Sequence, residues 1–248
     1  MDREEKPLDS VRYRRRKEGQ VNVDDAAFLA QVPLFAGLKP TLLNELAGKL
    51  TARSYRRGEV IFHQDDPGSA MHIIKSGQVK IATTSSEGEE VIMAILKDSD
   101  FFGELALLDD QPRSANAVAM EPTQTLTLRR VDFMDTMDKH PEMVRGVLSS
   151  LAGRLRHTDQ LLEDAVFLDL PARLAKRLLE MAREHGVKTD KGLEINLRLT
   201  QQDLAAALGV TRVALNKHLG RLQDDDLISL ESKRIIITRP EELKKRVY

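Results

Sequence analysis

The sequence predicts an α+β fold: an antiparallel β-roll of jelly-roll type, then one long helix, then a small helical domain closed by a β-hairpin. Three observations predict it. Between about residues 52 and 131, short β-rich runs recur between turn signals. From Val144 to Ala165, one face of the chain steps by four and three residues in alternation. Beyond Leu168, two short helical segments meet at a glycine, and two β-rich runs follow around a polar turn.

Composition narrows the function classes. The 248 residues are 41% hydrophobic and 31% charged, enough for two small cores or one large one. No run approaches the roughly 18 apolar residues of a membrane helix. Met1-Asp2-Arg3-Glu4-Glu5 lacks the apolar stretch of a secretory leader. A soluble cytoplasmic protein with no membrane partner is expected. Cysteine is absent, which removes disulfides, thiolate zinc sites, cysteine-ligated iron–sulfur clusters and cysteine nucleophiles together. The net charge of −1 conceals a gradient: residues 168–248 hold sixteen Lys and Arg against twelve Asp and Glu, while residues 21–167 hold fifteen against twenty-two. A basic C-terminal third on an acidic body suggests a nucleic-acid-facing module.

The elements follow in order. Residues 1–22 carry Arg12-Tyr13-Arg14-Arg15-Arg16-Lys17 and few large aliphatics, and read as a flexible basic arm. Over 24–50, apolar positions at helical spacing predict short helices broken at Pro33 and Lys39-Pro40. The strands are expected at Val60-Ile61-Phe62, Met71-His72-Ile73-Ile74, Val79-Lys80-Ile81, Val91–Ile95 and Thr123–Leu128.

Between the last two lies a candidate small-anion site. Gly103 allows close backbone approach, Glu104 to Leu108 can form a short helix with its first N–H groups toward an anion, and Arg113 can lie across that anion bidentately. Glu104 suits such a site only as an acceptor from a neighbouring hydroxyl. A loop with a surface Glu–Arg ion pair would read the same way.

Val144, Leu148, Leu151, Leu155, Thr158, Leu162 and Ala165 form an a/d seam over three heptads, flanked by Arg154, Arg156 and Glu163. The pattern predicts a helix over 141–168 that pairs with a second copy. Thr158, the polar seam position, can fix register or meet a polar ligand at the subunit boundary. Asp169 can cap the next helix, 171–185, with Pro171 in its first turn, and marks a hinge. Residues 187–194 read as a loop or short strand.

Thr200-Gln201-Gln202-Asp203 has capping-box form, helix 201–208 stops at Gly209, and Thr211 caps helix 212–223. Leu227–Leu230 and Ile235–Thr238 read as a hairpin wing around Glu231-Ser232-Lys233-Arg234. Leu215, Leu219 and Leu222 share one face of the second helix. Arg212, Val213, Asn216 and Lys217 lie opposite and offer the groups that read base edges and hold phosphates in a major groove. The six histidines are scattered without a close pair, and no nucleophile–base constellation emerges, so neither a metal centre nor an enzyme is expected. His63 and His72, the conceivable haem ligands, read as surface histidines of a turn and a strand.

These four ordered pieces, the β-roll, the Gly103-Glu104…Arg113-Ser114-Ala115 cassette, the seam helix and the winged helix-turn-helix, together resemble the catabolite activator/fumarate–nitrate regulator family of bacterial transcription factors over about residues 28–240. The resemblance implies a cyclic-nucleotide-binding-like sensor domain over 23–140, a dimerisation helix over 141–168 and a DNA-binding domain over 169–248. It implies a homodimer on palindromic promoter double-stranded DNA, controlled by a cyclic nucleotide (cAMP ahead of cGMP), with RNA polymerase as a further partner and no metal, haem or iron–sulfur cluster. The alternative is a relative that binds DNA without a nucleotide or senses another ligand. By resemblance, Glu104 binds the ribose 2′-OH, Arg113 and Ser114 bind the cyclic phosphate with backbone amides near Leu105, and Thr158 contacts the base. Asp159 reaches the partner's pocket, where the catabolite activator has a serine. The expected DNA contacts are Thr200, Gln201, Thr211, Arg212, Val213, Asn216 and Lys217. Arg212 matches the guanine-reading arginine, but Val213 replaces a glutamate that accepts from cytosine, and Lys217 replaces an arginine. A half-site related to TGTGA, altered at that base pair, is expected.

Overall fold

The computed structural model describes residues 23–231 and 234–247; the basic arm expected over 1–22 and the turn residues Ser232 and Lys233 lie outside the described residues. The chain opens with α1 (Val23–Leu29), a 3-10 turn (Pro33–Phe35) and α2 (Pro40–Lys49). Both prolines stand in first turns, where a missing N–H leaves no bond unmade.

Eight strands follow: β1 (Thr51–Tyr55), β2 (Val60–Phe62), β3 (Ala70–Ser76), β4 (Val79–Thr84), β5 (Glu90–Leu96), β6 (Phe101–Phe102), β7 (Asn116–Ala119) and β8 (Thr123–Arg129), with the short helix α3 (Leu105–Leu108) between β6 and β7. They form two four-stranded antiparallel sheets, β1-β8-β3-β6 and β2-β7-β4-β5. The β-roll expected from the sequence is therefore present as a β-sandwich. Three of its strands carry no sequence signal. β1 is exposed along most of its length and owes its conformation to the ladder with β8, β6 has only two residues, and β7 is half alanine.

The alternation along β3 sorts its side chains into two cores. Met71 and Ile73 join Leu126, Leu128, Phe35, Leu46 and Phe133 beneath the helices. Ile74 joins Val79, Phe102 and Ala117 between the sheets. His72 shares parity with Ile74 and is buried, which corrects the expected surface histidine. Its ring stacks on Phe102 at 5.1 Å between centroids, with Phe62 at 5.8 Å. Flanked by β8 and β6 and covered on both sides, the middle of β3, Met71 to Ile74, is closed to water.

α4 (Arg130–Lys139) leads into α5 (Pro141–Phe167). Met143 and Val147 anchor α5 in the first core, and Leu151 packs against its edge. The helix then leaves its own domain. Leu148, Leu155 and Leu162, at seven-residue steps, are 60%, 62% and 65% exposed, while Val144 is half-buried and Thr158 and Ala165 are exposed. Thus half of the predicted seam is an uncovered apolar stripe in the single protomer.

Asp169 caps α6 (Leu170–His185), its carboxylate accepting from the Ala172 amide at 3.0 Å, as the sequence predicts. Lys176 Nζ spans the junction to Asp164 Oδ1 at 2.6 Å. The segment read as a loop or short strand is two strands, β9 (Gly186–Thr189) and β10 (Gly192–Ile195). After α7 (Gln201–Leu208) and α8 (Arg212–Asp224), the wing strands β11 (Ile228–Glu231) and β12 (Arg234–Ile237) complete a four-stranded sheet, β11-β12-β10-β9, before α9 (Pro240–Lys244). Lys188, Asp190 and Lys191 hide this pairing in the sequence; the ladder of Leu193–Ile195 with Ile235–Ile237 creates it. Leu174, Leu178, Met181, Leu204, Leu215, Leu219 and Leu222 fill the core of this domain.

Candidate functional site

The Gly103–Ala115 cassette lies between the sandwich and α5. β6 ends at Phe102, and Gly103 takes φ +80°. A Cβ there would lie 2.6 Å from Arg113 Nη1, so any other residue would be strained and would push the guanidinium from its place. The chain returns at Arg113, which is buried. Its Nη1 donates to the Gly103 carbonyl at 2.5 Å and its Nη2 to the Ala70 carbonyl at 2.6 Å, and its guanidinium carbon lies 4.2 Å from the centre of the Phe62 ring. Burial pulls this guanidinium below the usual arginine range, with Glu104 and Asp66 opposing.

Glu104 is 1% exposed. Burial pushes its carboxyl above the usual range against the pull of Arg154 and, more weakly, Arg113. Its ion-pair partner is Arg154 of α5, Nη1 to Oε1 at 2.6 Å. Arg154 Nη2 also donates to the Phe101 carbonyl, and its guanidinium lies 4.9 Å from the centre of the Phe101 ring. The ion pair read as a surface contact within the loop is thus a contact from the loop to the long helix. In the sequence Arg154 stands out only as a flank of the seam, one helical turn before Thr158. The Thr158 hydroxyl donates to the Arg154 carbonyl at 3.1 Å.

Glu104 Oε2 and Arg113 Nε are buried without a hydrogen-bond partner. A carboxylate oxygen awaiting a donor and a guanidinium N–H awaiting an acceptor belong to one cassette. Their chemistry suits a small molecule carrying a hydroxyl or amine together with an anionic group. Leu105 and Ser114 are exposed at its edge, and Asp159 is exposed on α5.

The second cluster is the helix-turn-helix. The Thr200 hydroxyl accepts from the Asp203 amide at 3.0 Å, and Asp203 Oδ2 accepts from the Thr200 amide at 3.0 Å, completing the capping box. Gly209 ends α7 at φ +62° in the left-handed region. Thr211 caps α8 by accepting from the Ala214 amide at 3.2 Å. The leucines of α8 are buried, and Arg212, Val213 and Lys217 are exposed, Val213 by 82%. Arg212 donates to Gln201 Oε1 at 3.3 Å, which ties the start of α8 to the start of α7. Asn216 departs from the expected outward face: its amide oxygen is buried without a partner.

Comparison with known proteins places both clusters. The cyclic nucleotide-binding domain matches residues 52–140, and the Crp-like helix-turn-helix domain matches residues 172–246. The chain is 33% identical over 218 residues to the CRP-like cAMP-activated global transcriptional regulator of Mycobacterium tuberculosis, covering 88% of this chain and 97% of the relative. The chain belongs to the CRP/FNR family. It is also 32% identical over 212 residues to the global nitrogen regulator of Synechococcus elongatus, covering 83% and 95%. Among solved structures, FixK2 of Bradyrhizobium japonicum superposes with a TM-score of 0.71 at 22% identity, over 80% of this chain and 98% of that one, a likeness of fold. As a CRP/FNR-family member the chain is a DNA-binding transcription regulator with a cyclic-nucleotide-binding domain, not an enzyme. Among the described residues no group of three or more His, Asp or Glu is placed to hold a metal, and no helix is long and apolar enough to cross a membrane.

Proposed function

We propose that this CRP/FNR-family regulator works in the cytoplasm as a homodimer on palindromic promoter DNA and answers to a cyclic nucleotide, cAMP ahead of cGMP. Residues 23–140 sense, residues 141–168 pair the subunits, and residues 169–248 read DNA. The observation that carries the effector is the pair of orphaned buried atoms, Glu104 Oε2 and Arg113 Nε. A cyclic nucleotide has a ribose 2′-OH to donate to the carboxylate and a phosphodiester to accept from the guanidinium. Ser114 and the amides near Gly103 and Leu105 complete the phosphate contacts. Thr158 meets the base from the same protomer and Asp159 from the partner. The cAMP-activated relative, 33% identical, supports this reading.

The uncovered stripe of Leu148, Leu155 and Leu162 supports pairing. Pairing through α5 brings Arg154, and so Glu104, to the subunit boundary. An effector that favours one arrangement of the helix pair then sets both recognition helices about one DNA turn apart through the Asp169 hinge. Such a shift from mostly off to mostly on needs about 5 kcal/mol of differential affinity. RNA polymerase is the partner of a promoter-bound regulator.

A second reading rests on Arg113, whose Nη groups are already held by the Gly103 and Ala70 carbonyls. On it, the domain binds DNA with no nucleotide, or senses another ligand. Isothermal titration with cAMP and with cGMP, beside DNA binding with each, separates the two. Heat of binding and a rise in DNA affinity support the first reading; neither heat nor a change in DNA affinity establishes the second.

A further inference from the structure

The helix-turn-helix domain rests on the β-sandwich of its own protomer, and the contact is built around one carboxylate. Asp203, the third residue of α7, uses Oδ2 for the capping box and turns Oδ1 to Lys80 Nζ of β4 at 3.0 Å. Lys80 also meets Glu90 of β5 at 2.6 Å. Lys80 and Asp203 are both largely buried. Beside this charged knot, Ala206 packs onto Ala82 and Ile92, with Ala207 and Ile95 at the edge. The apolar bed is shallow because alanines form most of it. Farther along, Lys97 Nζ donates to the Glu184 carbonyl at 2.9 Å.

The docking leaves Val213 and Lys217 exposed but sets the sandwich opposite the starts of α7 and α8. Base readers of a helix-turn-helix act from the start of the recognition helix, and the first helix supplies phosphate contacts. Here Thr200, Gln201 and Arg212 line a cavity of about 800 Å³ whose opposite wall includes Gln78, Arg57 and Glu121 of the sandwich. A duplex, with a major groove about 12 Å wide and a phosphate backbone on each side, does not fit in such a space.

We propose that the Lys80–Glu90–Asp203 cluster, with the Ala206–Ile92 contact, is an autoinhibitory latch that holds the reading head against the sandwich and lowers its affinity for DNA. The latch adjoins the cassette through β7. β7 begins two residues after Ser114, and its Asn116 and Val118 pair across the ladder with Ala82 and Lys80. The cassette therefore adjoins the strand that carries the lysine.

The inference rests on DNA binding by this domain, and its test carries that control within it. The chain contains no cysteine, so Ile92→Cys with Ala206→Cys introduces a single possible crosslink within each chain. The reduced protein, on double-stranded DNA recovered by binding selection, reports DNA binding and correct folding. Oxidation is expected to weaken binding at least tenfold, and reductant to restore it. Equal affinity in the oxidised and reduced forms would overturn the latch while leaving DNA binding intact. Independently, Lys80→Gln is expected to raise DNA affinity without cAMP about tenfold; unchanged or lower affinity counts against the latch.

Discussion

Arg154 reaches from the long helix into the cassette and meets Glu104, Nη1 to Oε1 at 2.6 Å, fifty residues away in sequence. One face of this pair is closed by the sandwich and the other opens toward the predicted subunit boundary. Any group that comes to share Glu104 acts on the helix proposed to pair the subunits.

Removing Arg154 strands a buried carboxylate. Because the arginine itself is partly solvated, Arg154→Ala should cost about 2 kcal/mol rather than the ~3–5 kcal/mol of a fully buried pair. Urea denaturation measures it. Adding Glu104→Gln should recover part of the loss, since a neutral amide is cheaper to bury than an unpaired charge; additive losses would show that the two residues are uncoupled.

On the proposed reading, Arg113 holds the effector phosphate through its unpartnered Nε. Arg113→Leu should weaken cAMP binding at least a hundredfold by titration calorimetry, the loss of a charge-assisted contact to the phosphate. Arg113→Lys should recover little, because an ammonium cannot span the Gly103 and Ala70 carbonyls and an anion together.

His72 makes stability depend on pH. Burial first, then the charges of Arg113 and Arg53, lower its pKa from 6.5 to about 3. A depressed folded-state value means that the neutral ring's contribution is fully present above pH 6.5 and is lost as pH falls toward about 3. Through that window the slope should reach about 1.4 kcal/mol per pH unit. The difference in unfolding free energy between the parent and His72→Phe, followed from pH 7 to pH 4, should carry this slope; a flat difference would place the ring in a solvated site.

Leu155 is 62% exposed in the protomer. Leu155→Glu should leave protomer unfolding nearly unchanged while shifting sedimentation to the monomer. DNA affinity should fall at least a hundredfold, as two half-sites cease to be held by one molecule. A dimer that survived this charge would mean that another surface joins the subunits.

Val213, at the exposed start of α8, cannot accept a hydrogen bond but can touch a thymine methyl. Selection from random DNA should return a TGTGA-related palindrome altered at one base pair per half-site. Val213→Glu should move that position toward cytosine by about 1–3 kcal/mol of discrimination.

Much of this was legible in the residues. Thr200, Asp203, Gly209 and Thr211 are local signals, and each does in the structure what its spacing predicts. Asp169 and Pro171 opened α6 as read. The strands β1, β6 and β7 were not legible, because β1 is mostly exposed, β6 has only two residues, and the buried positions of β7 are alanines. His72 was misread for a related reason: an isolated polar residue in a strand says nothing about whether a second sheet covers it. Arg154 was visible only as a charge beside a seam.

The local code, periodicity, caps and turns, was enough to establish the order of parts, because helices and hairpins are specified by neighbours a few residues apart. It also carried the seam, since a heptad shows its unpaired face in a single chain. What the tertiary structure alone decided is which distant charges meet: Glu104 with Arg154, Lys80 with Asp203, and Arg113 with two backbone carbonyls. Such pairs depend on where two elements come to rest, and an ion pair between segments fifty or more residues apart leaves no periodic trace in either one.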